Sequence, residues 1–252
     1  MITILALLPL VLAAPVQDPA DKPDKRPEVA DLVKRLKEHA GREGKEDRDA
    51  VGVIDLLNQE FGNSGPKDRE SIVKGLSRCF EERRVQRGEE APDNMLYMAA
   101  AVALGGMGPE SVKPLISWIG HKNHRKDLAL QSRLILSLGK TRDKDAVKTL
   151  TSSLNDKTPS LVSAAAEALG EFAGAELELR KSIFESLLKT LMSAQGAKDA
   201  DVNDNIARER YDVVAAPIIT SLSKLSKHDE RVPNNWLTWW NKNKRLDWDA
   251  DQ

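Results

Sequence analysis

Residues 95–105 read MLYMAAAVALG, residues 128–139 read LALQSRLILSLG and residues 159–170 read PSLVSAAAEALG. Each apolar run closes on Leu-Gly, at Leu104-Gly105, Leu138-Gly139 and Leu169-Gly170. The three glycines are 34 and 31 residues apart, inside the range of about 20–50 residues that marks stacked repeats. A short polar turn and a second helical run follow each Leu-Gly. The pattern predicts paired helices over 94–104 with 109–119, 128–138 with 143–154, and 160–172 with 176–192. Each pair has an apolar face that it cannot bury alone, so the neighbouring pair must supply the other wall of the core. The glycines are expected to turn left-handed and end their helices. The small residues Ala164, Ala165, Ala166 and Ala168 let neighbouring helices approach closely.

The same reading extends outward with weaker periodicity. Towards the N-terminus, Val29, Leu32, Val33 and Leu36 share one helical face after Pro27, which suits a first turn. Ala50, Val53, Ile54, Leu57 and Phe61 share a second, and Ile72, Val73, Leu76, Cys79 and Phe80 a third. The charge run 81–90 reads as a solvated helix end and loop. Towards the C-terminus, the polar run 198–205 interrupts the helices. A helix over 206–225 follows, with Pro217 expected to kink or split it. The last helix starts at Pro233 and carries Trp236, Leu237, Trp239 and Trp240, with Leu246 and Trp248 in a tail.

The first residues, MITILALLPLVLAA, have the length and small-residue ending of a signal peptide and are too short for a stable span. The expected organisation is a signal peptide at 1–14, a disordered Pro- and charge-rich linker at 15–26, N-terminal degenerate repeats at 27–90, core repeats at 91–195, and a last repeat with a Trp-rich cap at 196–252. The expected location is the periplasm or the extracellular space. No membrane span is expected after signal removal.

The units Leu-Gly-x(6)-Val-x-Pro-Leu-Ile at 104–116 and Leu-Gly-x(6)-Ala-Val-x-x-Leu at 138–150 resemble HEAT repeats. That resemblance covers 95–192 well, and 27–84 and 203–245 less closely. It implies an all-α fold, a right-handed α-α superhelix of about five helix pairs, which binds a protein or peptide along one surface. The tail Trp-x-x-Trp-Trp-x-x-Asn-Lys-x-x-Asp-Trp, from Trp236 to Trp248, also resembles the ending of exported HEAT-repeat proteins of planctomycete-type bacteria. Here Lys227–Arg231 replaces their Gly-rich linker, and Asn234, Asn235 and Asn241 replace acidic residues.

Composition narrows the function classes. The net charge is -1 with 31% charged residues, so no basic stripe is implied and nucleic acid is not expected as a partner. Aromatic residues are 4% of the chain, which suits helices over strands. Cys79 is the single cysteine. It lies in the apolar register of its helix and reads as a buried, inert thiol.

Candidate chemistry is sparse. Asp199, Asp201, Asn203 and Asn205 have the spacing that opens a calcium loop. However, Asp204 stands where the loop needs Gly and Arg210 where it needs Glu. His121 and His124 form H-x-x-H beside Lys122, Arg125 and Lys126, without a third ligand for zinc. No phosphate loop or nucleophile elbow is present. No catalytic residue, cofactor or metal is therefore expected. Trp236, Trp239 and Trp240 share a helix face and read as the cap a solenoid end requires. His121, His124 and Arg125 form a basic turn that suits an acidic partner. These six residues are the candidate partner surface.

The expectation is a non-catalytic, exported scaffold that binds protein along one row of helices. Two alternatives follow from the same residues. One is an enzyme on a HEAT-like scaffold, of the bilin lyase or alkylpurine DNA glycosylase type. The other is binding of carbohydrate or envelope polymer by the Trp cluster.

Overall fold

The computed structural model describes residues 18–84 and 93–250. The expected signal peptide at 1–14 and most of the charge run lie outside the described residues. Among the described residues the regular structure is helical, with eleven α-helices, short 3-10 turns and no strand. The helices are α1 (Pro27–Ala40), α2 (Asp47–Phe61), α3 (Pro66–Arg78), α4 (Met95–Gly105), α5 (Val112–Trp118), α6 (Leu128–Lys140), α7 (Lys144–Ser153), α8 (Pro159–Gly170), α9 (Leu177–Ala200), α10 (Asn205–Ser226) and α11 (Pro233–Asn243).

They stack in two rows. Helices α2, α4, α6, α8 and α10 form one row and α1, α3, α5, α7, α9 and α11 the other, with the core between them. Neighbours in the first row touch along much of their length, whereas from α3 onward successive helices of the second row touch at few points. Two rows of unequal spacing must bend around the tighter one, so the α2–α10 row is the inner, concave side of the solenoid.

The Leu-Gly residues set that spacing, by a different route from the one expected. Gly105, Gly139 and Gly170 each end a helix as its last or near-last residue. None of them has a positive φ, and left-handed backbone occurs instead at Arg142 (φ 53°), just past α6. What the three positions need is the missing side chain. A Cβ on Gly139 would lie 2.6 Å from the Cα of Ala168, one on Gly105 would lie 3.0 Å from the Cα of Ser137, and one on Gly170 would lie 2.6 Å from Ser221 Oγ. Gly105 and Gly139 thus receive the backbone of the next inner helix, and Gly170 the side chain of Ser221. Ser221 completes the ladder by donating to the Ala166 carbonyl at 2.7 Å.

Three further expectations change. The segment 18–26 is bound to α3, not disordered. Asp24 accepts the amides of Lys67 (3.2 Å) and Asp68 (2.8 Å) at the start of α3. In return, Asp68 accepts the amides of Lys25 and Arg26 at 3.0 Å each. The exposed helix-terminal amides of α3 supply what the apolar pattern of 15–26 lacks. Pro217 does not split α10, which runs unbroken from Asn205 to Ser226. The packing of α10 against both α8 and α9 holds it together. Helix α9 continues through the polar run to Ala200, so the interruption shrinks to Asp201–Asp204. Thr158 occupies the N-cap of α8, but its side chain makes no capping bond.

The charge run hides a structural pair. Arg84 reaches Asp47 at the start of α2 with two bonds of 2.8 and 2.9 Å, and their side chains are 4% and 2% exposed. Cys79 is buried as expected, and burial pushes its thiol pKa up to about 12.

Candidate functional site

The inner row presents the surface a partner would meet. Helix α4 carries no charged side chain. A helix that is apolar all round in a two-row solenoid must expose part of that apolar surface. Here the exposed part is Val102, 48% accessible, beside half-buried Met95, Met98 and Ala99. The repeat register carries the pattern into α6. Two residues before each Leu of Leu-Gly stand Val102, Leu136 and Glu167, and nine before stand Met95, Ala129 and Ser160. The resulting face is apolar on α4, carries Ser132 and Arg133 among Ala129 and Leu136 on α6, and turns to Ser160, Ser163 and Glu167 on α8. Exposed Asp55 on α2 and Glu167 on α8 flank it. Among the described residues, Arg133 is the only cation on the α4–α6 part of this face before Lys140 at its far edge.

The six residues that the sequence singled out sit elsewhere, and the structure separates them into two groups. Trp236 is fully buried and Trp240 is 8% exposed. With Trp239 and Trp248 they surround Phe184 of α9 at ring-centroid distances of 5.1–5.7 Å. Half-buried Trp239 is stacked on His228 at 5.2 Å, and Trp248 donates its indole N–H to the Asn243 carbonyl at 3.0 Å. The tail is latched beneath them. The fully buried Arg180 donates to the Leu225 carbonyl at 3.2 Å and to the Asp249 carboxylate, which Lys227 also meets at 3.1 Å. The hydrogen bond from Lys227, with Arg180 adding its charge, holds the Asp249 carboxyl below the usual carboxylate range. Four indoles and one phenyl ring close the end of the core; the aromatic residue left outward on α11 is only the stacked edge of Trp239.

His124 is buried as well. Its Nε2 lies 2.7 Å from the Phe80 carbonyl, and its ring meets Tyr97, Trp118 and Phe80 edge-on. It is a packing residue between α4 and the turn before α6. His121 leans on Trp118 at 4.5 Å, and only Arg125 of this trio points into solvent. The two histidines therefore face different surroundings despite their close spacing. The calcium-like residues are also divided. Asp199 belongs to α9 and Asn205 to α10, while Asp204 caps α10 by accepting the amides of Ile206 and Ala207 at 2.9 Å. Among the described residues no group of three or more His, Cys, Asp or Glu is placed to hold a metal ion. No described helix is long and apolar enough to cross a membrane.

The sequence reading favoured the concave row of helices but singled out none of the residues on the inner face of α4 and α6. The signal of that face was present in the uncharged MLYMAAAVALG, which the pairing argument assigned entirely to the core. No curated protein matches the chain. Residues 82–170, which span α4 to α8 and end on the third Leu-Gly, match the family model for HEAT repeats.

Proposed function

We propose that the protein is a non-catalytic scaffold that binds a protein or peptide segment along its inner row of helices. The observation that supports this is the exposed apolar surface of Val102, Met95, Met98, Leu136 and Ala129 on a preformed concave side. Surface of this kind is stabilised when a partner removes it from water. HEAT repeats commonly serve this purpose, which agrees with the match over 82–170. Rigid helices present the face with little ordering cost, so binding loses little of its free energy to rearrangement.

Export forms part of the same proposal. It rests on the apolar leader at 1–14 and on the resemblance of the Trp-rich tail to that of exported HEAT-repeat proteins. The partner then lies in the periplasm or outside the cell.

The test uses Val102→Asp, at an exposed position, with Leu136→Asp, at a half-buried one packed against the core, and circular dichroism checks that the double variant is folded. Wild-type protein immobilised against periplasmic extract should retain a partner that the double variant loses. The same retained set for both proteins would overturn the assignment of the inner face. Mass measurement of the mature N-terminus after expression of the full chain tests export. Removal of about the first 14 residues is expected, and an uncleaved chain in the cytoplasmic fraction would refute it.

A further inference from the structure

We infer that Arg133 is the recognition cation of the inner face, and that the partner segment places a carboxylate against it between aliphatic side chains. The inference rests on the reading of that face as the binding surface and specifies the partner's chemistry.

Among the described residues four arginines have a buried Nε that makes no hydrogen bond: Arg26, Arg69, Arg133 and Arg180. Three of them still satisfy their guanidinium on an acid. Arg26 meets Glu60 at 2.8 Å, Arg69 meets Glu110 at 2.7 Å, and Arg180 meets Asp249. The Arg133 side chain has neither an ion pair nor a hydrogen bond among the described residues. Its place in the fold sharpens the contrast. Five residues before each Leu of Leu-Gly the chain has Ala99, Arg133 and Ala164. Arg133 thus replaces the small residue that its neighbours carry at this register, on the central helix of the matched repeats. Around it the face holds Met95, Met98, Val102, Ala129 and Leu136.

A guanidinium is always charged and offers five donors in a planar fork suited to a carboxylate. Set among apolar groups, with one donor already shut off from water, it loses hydration that nothing among the described residues replaces. The flanking charges, Glu167 on the neighbouring α8 and Asp55 on α2 beyond α4, make no ion pair with it. They also bar a second carboxylate from the ends of the face. The ligand that matches is a peptide segment with a single Asp or Glu set among aliphatic side chains. A strongly acidic stretch would be repelled at both edges. Bidentate pairing over an apolar floor gives specificity through the charge and affinity through the covered area.

The probe is a displayed library of random peptides, about 14 residues long so that an extended segment spans several inner helices, selected on the whole protein. Enriched peptides are measured by titration against wild type, Arg133→Ala, Arg133→Glu and Val102→Asp, with circular dichroism and melting curves for each variant. The expected result is a set enriched in one acidic residue between aliphatic ones. Binding should fall at least tenfold in Arg133→Ala and further in Arg133→Glu. It should return in Arg133→Glu when the peptide's acid is replaced by Lys. Peptides that lose binding to Val102→Asp but ignore Arg133→Glu would overturn the role of Arg133 and leave the inner face as the binding surface. Peptides indifferent to Val102→Asp as well, or a failure to enrich any peptide, would overturn both.

Discussion

Replacing Gly139 with Ala tests the geometry on which the whole solenoid depends. In an isolated helix this change stabilises by about 1 kcal/mol, because Ala loses less backbone freedom than Gly. Gly139 has an ordinary right-handed backbone, so strain at φ does not cancel that gain. The added methyl, however, would stand 2.6 Å from both Cα and Cβ of Ala168 and 2.7 Å from its carbonyl oxygen. Carbon atoms pack at about 3.5–4.0 Å, so α8 must retreat by roughly 1 Å. Two of the three opposing atoms are backbone and cannot rotate away. Overpacking of this kind costs about 1–3 kcal/mol, and rigid opposition places it at the upper end. The net expectation is a loss of about 2 kcal/mol, or a Tm lower by about 4–8 °C for a chain of this size. The control is Gly52→Ala in α2, where a Cβ would meet nothing within 4 Å. There the same substitution should raise the Tm by about 2–4 °C. Urea and thermal unfolding followed by far-UV circular dichroism measure both. Ala168→Gly should rescue Gly139→Ala only in part, since the clash with the Ala168 Cα remains. A Gly139→Ala protein as stable as the Gly52→Ala protein would refute close approach as the reason for the Leu-Gly register.

Further outcomes follow from buried groups. Asp47→Ala should cost about 3–5 kcal/mol by leaving the Arg84 guanidinium buried without its partner, and Asp47→Leu with Arg84→Met should recover most of that in urea unfolding. Trp236→Ala should cost about 3–5 kcal/mol through the cavity it leaves against Phe184, with a matching loss of near-UV ellipticity. Cys79, with its thiol pKa pushed up to about 12, should resist iodoacetamide under mildly alkaline conditions in the folded protein and react at once in urea; rapid alkylation of the native state would contradict its burial. Two tail-region carboxyls have pKa values below the ordinary range: Asp249 through Lys227 and Arg180, and Glu230 through the amides of Val232 and Arg231. Protons therefore bind the unfolded chain more readily, so their contribution is complete above the ordinary carboxylate pKa of about 4 and is lost as pH falls below it. Melting temperature should decline below that pH, and less steeply in Asp249→Asn.

The periodicity of the sequence determined a great deal by itself. Apolar residues at helical spacing, closed three times by Leu-Gly, specify paired helices, because an amphipathic face has one way to leave water and that way is local in register. The buried aromatic cluster around Trp236 was legible for a related reason: an end repeat lacks a neighbour, and large rings cover its open face with few residues. Only the tertiary structure decided what the glycines are for. A left-handed helix end and a missing Cβ look the same in sequence, and the choice depends on how near Ala168 and Ser221 come. The same holds for Arg84 and Arg133. One sits in a run of surface charge and is buried on Asp47, 37 residues away in the chain; the other sits mid-helix and meets no acid among the described residues. Pairing of charges depends on distance in space, to which local spacing is blind. The segment 18–26 follows the same logic, since its order comes from amides and carboxylates of α3 that lie 42 to 44 residues away in the chain.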